Sequence, residues 1–435
     1  MTPDALLALD RRHIWHPFTQ AQTAPPPLPV TNARGAVLTL ADGREVIDLI
    51  SSWWVTLHGH AEPAISRAIA EQAAKLEQVI FADFTHEPAI RLAARLTGLL
   101  PEGLTRVFYS DDGSTAVEVA LKIAWQSWRN RGQPQRTHFL AFEGGYHGDT
   151  LGAMSAGQGS GFYQPFRELL YPVTLLPFPE TWIGDPEAET KETASLAALD
   201  RWLEEHGAET AALILEPLVQ GAGGMRMCRP EFLRALAQRL NSAGTLLIFD
   251  EVMTGFGRTG TLFACQRAGV TPDIICLSKG LTGGFLPLSA TVCREGIYET
   301  FLAGSFDRAF AHGHSFTANP LGCAAALASM DLLNTPECAA RRAAIEAHHQ
   351  AWLTSLSGHP RLTRPRGFGT IAAVDLAGGE TGYTATVAPL LKRAFLERGL
   401  LIRPLGPVIY LLPPYCVSPE QLTLAYRAIE DITAA

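Results

Sequence analysis

A lysine, Lys279, closes the apolar run IICLS, and three glycines follow within five residues in KGLTGG (279–284). A lysine at a strand exit is commonly a surface residue. Gly280, Gly283 and Gly284 suggest a second reading, because glycines let the backbone approach a bulky group. Asp250 follows the apolar stretch TLLIF, where a carboxylate is costly unless paired. It is either a structural ion pair or a group that holds a proton on a heterocyclic nitrogen by charge attraction in a low-dielectric site. Gly113-Ser114-Thr115 opens a helical pattern. Bare amides, two hydroxyls and the positive helix end suit a phosphate there, although Ser114 or Thr115 also serves as a simple N-cap. Tyr146 and His147, in GGYHGDT, either stack on a flat ring or cap a loop.

These residues must be positioned by something. The runs TRVFYS (105–110), THFLAFE (137–143), AALILEP (211–217), TLLIFDE (245–251), DIICLSK (273–279) and LSATVCR (288–294) are continuously apolar, not alternating. That is the signature of strands buried on both faces of a mainly parallel sheet. Helical patterns at 114–130, 230–244 and 319–333 lie between or after them. The alternation predicts an α/β fold with a mainly parallel central sheet flanked by helices and joined by right-handed crossovers. Ligands of such sheets bind outside the carboxyl ends of the strands. DDGSTAVE, GGYHGDT, Glu216, Asp250 and Lys279 all fall at such ends. A phosphate cradle, a proton-holding acid, a stacking aromatic and a lysine at one sheet edge are the parts of a pyridoxal 5'-phosphate site. In such a site the lysine forms a Schiff base with the aldehyde, and the acid keeps the pyridine nitrogen protonated.

Other patterns are weaker. GFGRTG (255–260) matches the dinucleotide glycine fingerprint, but the run after it is a poor helix and Asp273 comes too early to hold a ribose. HGH (312–314) and HH (348–349) lack further ligands, so no metal is expected.

The chain ends read differently. Residues 30–50 contain two short strand signals around the turn ADG. Beyond about 335 come a helix, the strand GTIAAVDL, a helix, the strand VIYLLPP and a final helix. A smaller α+β domain built from 1–60 and 335–435 is expected around a large domain spanning 61–334. APPP (24–27) reads as an extended connector. With 435 residues, 47% of them hydrophobic, the chain can bury a large core. No apolar run approaches the roughly 18 residues of a membrane helix, and the N-terminus lacks a secretory h-region. The net charge of −8, without a basic cluster, argues against a nucleic-acid partner. Seven singly scattered cysteines fit reduced thiols in a cytoplasmic protein.

LIFDEVMTGFGRTG followed by DIICLSKGLTGG resembles the signature of class III (omega) aminotransferases, of pyridoxal-phosphate fold type I. The resemblance covers nearly the whole chain. It implies a large cofactor domain, a small domain from both termini, and a homodimer with active sites at the interface. Lys279 is then the Schiff-base lysine and Asp250 the pyridinium partner. Gly113 and Ser114 bind the phosphate, and Tyr146 lies against the ring. Ser315, in HGHSFTANP, contacts the phosphate from the other subunit, at a position where threonine is common, and Gly313 beside it belongs to the substrate site.

RRHIWHPFTQ, DLISSWWVTLHGH, FEGGYHGDTLGAMS, EPLVQGAGGMRM and LIRPLGPVIYLLPPY are similar to a biotin-pathway branch of that family. That branch moves the amino group of S-adenosylmethionine to 8-amino-7-oxononanoate, with ping-pong kinetics. Trp53 and Trp54 would then wall the substrate channel; on their own they read equally as core packing. Arg403 would hold the substrate carboxylate, a role that suits a guanidinium, and otherwise reads as a surface ion pair. Arg258 sits near the active site in this family. Phe18 stands where the family usually has tyrosine, so a hydroxyl that would bond substrate or Tyr146 is absent. The alternatives are another class III transaminase using a keto acid or terminal amine, lysine as the donor, an aminomutase-type isomerase, or a non-catalytic cofactor-binding protein.

Overall fold

The computed structural model describes residues 1–160, 163–378 and 387–434. Seven strands form the large sheet: β1 (Leu104–Ser110), β2 (His138–Phe142), β3 (Thr174–Leu176), β4 (Thr210–Leu215), β5 (Leu246–Asp250), β6 (Ile274–Leu277) and β7 (Ser289–Arg294). Their order is β1-β7-β6-β5-β4-β2-β3. β7 runs antiparallel to both its neighbours, and the other pairings are parallel. Every residue of β4, β5 and β6 is buried, as their unbroken apolar runs require of strands covered on both faces. Truncating one such side chain, Ile214→Ala for example, is expected to cost about 2–5 kcal/mol through lost contacts and the cavity left behind.

Helix α1 (Gly113–Asn130) starts one loop after β1 and lays Ala116, Val117, Ala120, Ile123 and Ala124 against the sheet. Small residues on that face bring its N-terminus close to the strand ends. The three-residue β3, the strand Leu362–Phe368 and the helix Pro3–His13 are additions to the expected elements. The first is too short to show a pattern, and the second carries Pro365 and Gly367, which disguise it.

Strands Val30–Arg34, Val37–Leu40 and Glu45–Asp48 form a second sheet with Leu400–Leu401 as its fourth member. Strands Leu362–Phe368, Ile371–Leu376 and Val408–Leu411 form a third, antiparallel sheet. The Leu412 amide donates to the Leu49 carbonyl, and the Ser51 hydroxyl donates to the Leu412 carbonyl. These bonds seat the stretch Ser51–Trp54 on residues from the far end of the chain.

Candidate active site

The carboxyl ends of β1, β2, β4, β5 and β6 open into one cavity of about 680 Å³. Gly113, Ser114, Tyr146, His147, Glu216, Asp250 and Lys279 line it, with Trp54 at one wall. Residues from five separate strand ends thus meet where the sheet topology says a ligand binds.

Lys279 begins a short turn, Lys279–Thr282, just past β6. Its φ of 42° lies in the left-handed region, which costs a non-glycine residue on the order of 1–3 kcal/mol. The turn is held by Ser278, whose hydroxyl donates to Leu288 O at 2.9 Å. The glycines that follow allow the close approach expected of them, and Gly284 also lines the cavity. A Cβ on Gly284 would stand 2.9 Å from Thr56 Cα, and one on Gly283 would stand 2.8 Å from Ile65 Cδ1. The bulky group they accommodate is the protein's own segment 55–57 and the helix Pro63–Ala73. The Lys279 ammonium lies 4.4 Å from the centre of the Trp54 ring. Burial lowers its pKa to about 8; Asp250 and Glu216 oppose the shift, and Arg258 adds to it.

Asp250 ends β5 and is buried. Its Oδ2 lies 2.7 Å from His147 Nδ1, and its Oδ1 accepts the Val252 amide at 3.1 Å. His147 therefore neither stacks on a ring nor caps the loop; it is the buried partner of Asp250. Burial pushes the imidazole pKa down, but the bond to Asp250 and the charges of Asp250 and Glu216 outweigh this and raise it. Glu216 accepts the amides of Tyr146 at 3.0 Å and Gly221 at 2.9 Å. Burial raises its pKa to about 7 against the pull of His147. Sequence reasoning placed Glu216 at a strand end but gave it no role. The His147 pairing left no sequence signal, since its partner lies 103 residues away.

Tyr146 presents its ring to the cavity and donates its hydroxyl to Asp149 at 3.1 Å. At the start of α1 the cap is Asp112, with Thr115 reciprocating in a capping box. This leaves the next residues, Gly113 and Ser114, to face the cavity. Gly113 has no room for a side chain: a Cβ would lie 2.6 Å from Val252 Cγ1. Gly148, at φ 117°, is equally confined, because its Cβ would lie 2.3 Å from Ser114.

The remaining expected residues separate into two groups. Trp54 is buried and donates its indole N–H to Tyr410 Oη at 3.0 Å. Trp53 is 41% exposed. The Phe18 ring meets Trp53 edge-on at 5.7 Å, and the Arg403 guanidinium lies 4.8 Å over the Trp53 ring. Phe18, Trp53 and Arg403 thus form a second cluster, outside the cavity lining. Gly313 and Ser315 are also outside it. Their loop bonds Gln78 through the Ser315 carbonyl at 2.9 Å and places His314 3.6 Å from Asp111. Arg258 is buried beneath the cavity wall, donating to Pro413 O at 2.7 Å and Thr56 O at 3.2 Å.

GFGRTG folds as turns, and the helix after it, Ala264–Ala268, has five residues. That is not a dinucleotide site. Among the described residues no group of three or more His, Cys, Asp or Glu is placed to hold a metal, and no helix is long and apolar enough to cross a membrane. All seven cysteines are free thiols.

The residues present fit pyridoxal 5'-phosphate. The glycine-walled start of α1 suits the phosphate. A buried carboxylate clamped by an imidazole suits the ring nitrogen. A buried lysine with a depressed pKa suits the aldehyde.

Residues 18–433 match the family Aminotransferase class-III. The chain is 60% identical to the adenosylmethionine-8-amino-7-oxononanoate aminotransferase of Synechococcus elongatus, over 97% of this chain and 98% of that protein. It is 39% identical to the protein of the same name from Geobacter sulfurreducens, over 97% of this chain and 95% of that one. The crystal structure of adenosylmethionine-8-amino-7-oxononanoate aminotransferase from Methanocaldococcus jannaschii is similar at 33% identity with a TM-score of 0.89, covering 98% of this chain and 99% of that one. A PLP-bound amine transaminase from an uncultivated Pseudomonas species is similar at 31% identity with a TM-score of 0.90, covering 97% and 98%. With the family match running almost end to end and the strand-end lysine, acid and glycines in place, the chain belongs to the class III aminotransferases.

Proposed function

We propose that this protein is a pyridoxal-phosphate-dependent aminotransferase that moves the amino group of S-adenosylmethionine to 8-amino-7-oxononanoate, giving 7,8-diaminononanoate for biotin synthesis. The observation that carries this reading is the 60% identity, over 97% of the chain, to an enzyme named for that donor and acceptor. The acceptor is a long aliphatic chain with a terminal carboxylate, which suits an aromatic wall backed by a guanidinium, as in Trp53 and Arg403.

Bound pyridoxal 5'-phosphate supplies an aldehyde that condenses with amines and a ring that takes up the electron pair left on a deprotonated carbon. Lys279 is the residue that would hold that aldehyde. With a pKa of about 8, a useful share of its Nζ is unprotonated near neutral pH. Displaced by substrate, Nζ acts as general base at the amine-bearing carbon of the donor and returns the proton as general acid. Asp250, held by His147 and the Val252 amide, keeps the proton on the ring nitrogen. Gly113 and Ser114 would hold the phosphate, and Tyr146 would flank the ring. Two half-reactions in one cavity give ping-pong kinetics.

The protein works as a cytoplasmic homodimer in which Gly313 and Ser315 serve the partner's site; both lie outside the cavity of their own chain. Residues 1–60 and 335–435 act as a small domain against 61–334, consistent with the strand Leu400–Leu401 pairing with Glu45–Asp48. The test is amino transfer to 8-amino-7-oxononanoate by the purified holoenzyme, with S-adenosylmethionine and lysine as separate donors and product measured by mass. S-adenosylmethionine is expected to support turnover. Turnover with lysine alone overturns the donor assignment, and turnover confined to keto acids overturns the acceptor.

A further inference from the structure

We infer that Asp48, braced by His60, is a positioning residue that holds the Ser51–Trp54 turn so that Trp54 covers Lys279 and Trp53 meets Arg403. The inference rests on the function proposed above.

The turn is strained. Ser51, Ser52 and Trp54 have φ of 52°, 59° and 68°, in the left-handed region that side chains disfavour. Three such residues within four positions do not hold their shape unless their surroundings impose it. Asp48 supplies the bonds that do so. Its Oδ1 accepts the Ile50 amide at 3.1 Å, and its Oδ2 accepts the Ser52 amide at 2.6 Å. Both donors lie at the start of the turn, the second on one of the strained residues. A carboxylate that accepts two backbone amides in this way sets the path of the chain, as in an Asx turn.

The carboxylate is itself fixed. Asp48 is 0% exposed, and its Oδ2 lies 2.8 Å from His60 Nε2. The backbone of His60 exchanges two hydrogen bonds with Gly35, at 3.2 and 2.7 Å. His60 is therefore anchored to the sheet that carries Asp48, and the brace does not move with the turn. Further along, Arg258 donates to Thr56 O and Ser51 Oγ donates to Leu412 O. The segment from Ile50 to Thr56 is thus gripped at both ends. Between the grips lie Trp53 and Trp54, with Lys279 Nζ 4.4 Å from one ring and the Arg403 guanidinium 4.8 Å from the other. One buried carboxylate orients a wall of the cofactor cavity and the adjoining Trp53 while touching neither ring.

Asp48→Asn tests this in the holoenzyme. The amide keeps the side-chain volume but cannot accept at both ends. The expected result is at least a tenfold fall in kcat/KM for 8-amino-7-oxononanoate, carried mostly by KM. The visible absorbance of the bound cofactor should persist, and acrylamide quenching of tryptophan fluorescence should increase as Trp54 loosens. Adding Ser52→Gly makes the left-handed backbone inexpensive, so Asp48→Asn/Ser52→Gly should recover at least threefold of the loss. A defect arising away from the Ser51–Trp54 turn would not respond to that second change. Unchanged quenching and kcat/KM in Asp48→Asn, or no recovery in the double variant, overturns the inference. If Asp48→Asn does not fold, His60 decides. His60→Ala should lower kcat/KM about fivefold, while His60→Gln, which retains a donor, stays within twofold of the parent; equal behaviour of the two overturns the inference. Absence of turnover in the parent refutes the proposed substrates instead, and the quenching comparison still tests the clamp.

Discussion

His147 Nδ1 stands 2.7 Å from Asp250 Oδ2, and the two side chains are 1% and 4% exposed. An unpaired carboxylate at that depth would favour its neutral form. The imidazole changes this balance. Its pKa is raised above the ordinary value because the bond to Asp250, with the charges of Asp250 and Glu216, outweighs burial. The bond and the neighbouring acids thus favour the charged imidazole beside Asp250.

His147→Phe therefore removes one member of a buried ion pair, a change that typically costs about 3–5 kcal/mol. A histidine with a raised folded pKa gives stability that is fully present below its unfolded value, roughly 6.5, and fades as pH rises through the folded value. Thermal unfolding of the apoenzyme should show the largest deficit near pH 6 and a smaller one at pH 9. A deficit that is flat or grows with pH contradicts the pairing.

The same pair shows what the sequence revealed and where it stopped. β4, β5 and β6 were legible because burial on both faces leaves unbroken apolar runs. The polar residues at their ends were legible because a charged group there is conspicuous. Which polar residue meets which was not, since His147 and Asp250 are brought together by the strand order and not by spacing. What Gly283 and Gly284 approach was hidden for a related reason. A glycine signals close approach without naming what approaches, and here it is Ile65 and the backbone of residues 55 and 56.

Lys279 gives a prediction in the alkaline range. Its pKa of about 8 arises from burial, partly offset by Asp250 and Glu216. The folded state therefore binds fewer protons than the unfolded one between about 8 and the ordinary lysine value near 10.4, so stability rises with pH across that window. The neutral amine is the nucleophile, so reloading of the apoenzyme with pyridoxal 5'-phosphate should accelerate with a midpoint near pH 8. A midpoint above 10 in stopped-flow absorbance would show that the lysine is not desolvated. Lys279→Ala should remove the visible absorbance of the loaded enzyme and lower turnover by roughly 10²–10⁴-fold or more, since its general acid–base step is lost with it.

Phe18 meets Trp53 edge-on at 5.7 Å and is 44% exposed. Phe18→Tyr adds a hydroxyl beside Trp53 without crowding the core. A neutral hydrogen bond is worth about 0.5–1.5 kcal/mol net, which corresponds to about a two- to twelvefold change in KM. KM for one of the two substrates should fall within that range while kcat changes little. Separate half-reaction kinetics identify which substrate receives the bond, and no change in either half-reaction shows that the position does not contact substrate.

The Arg403 guanidinium lies 4.8 Å over the Trp53 indole. A guanidinium can grip a carboxylate with two parallel bonds. Lysine offers one compact charge and no stacking plane, so Arg403→Lys is not a conservative change here. Charged hydrogen bonds contribute about 1.5–3 kcal/mol, so Arg403→Ala should raise KM for 8-amino-7-oxononanoate by roughly 10–150-fold. Arg403→Lys should recover only part of that, and kcat should stay within about threefold, because the group lies outside the cavity that holds Lys279. The methyl ester of the acceptor separates carboxylate binding from packing. It should bind the parent and Arg403→Ala about equally. An ester that loses affinity in Arg403→Ala as steeply as the free acid does would mean that Arg403 acts by holding Trp53 in place, not by meeting the carboxylate.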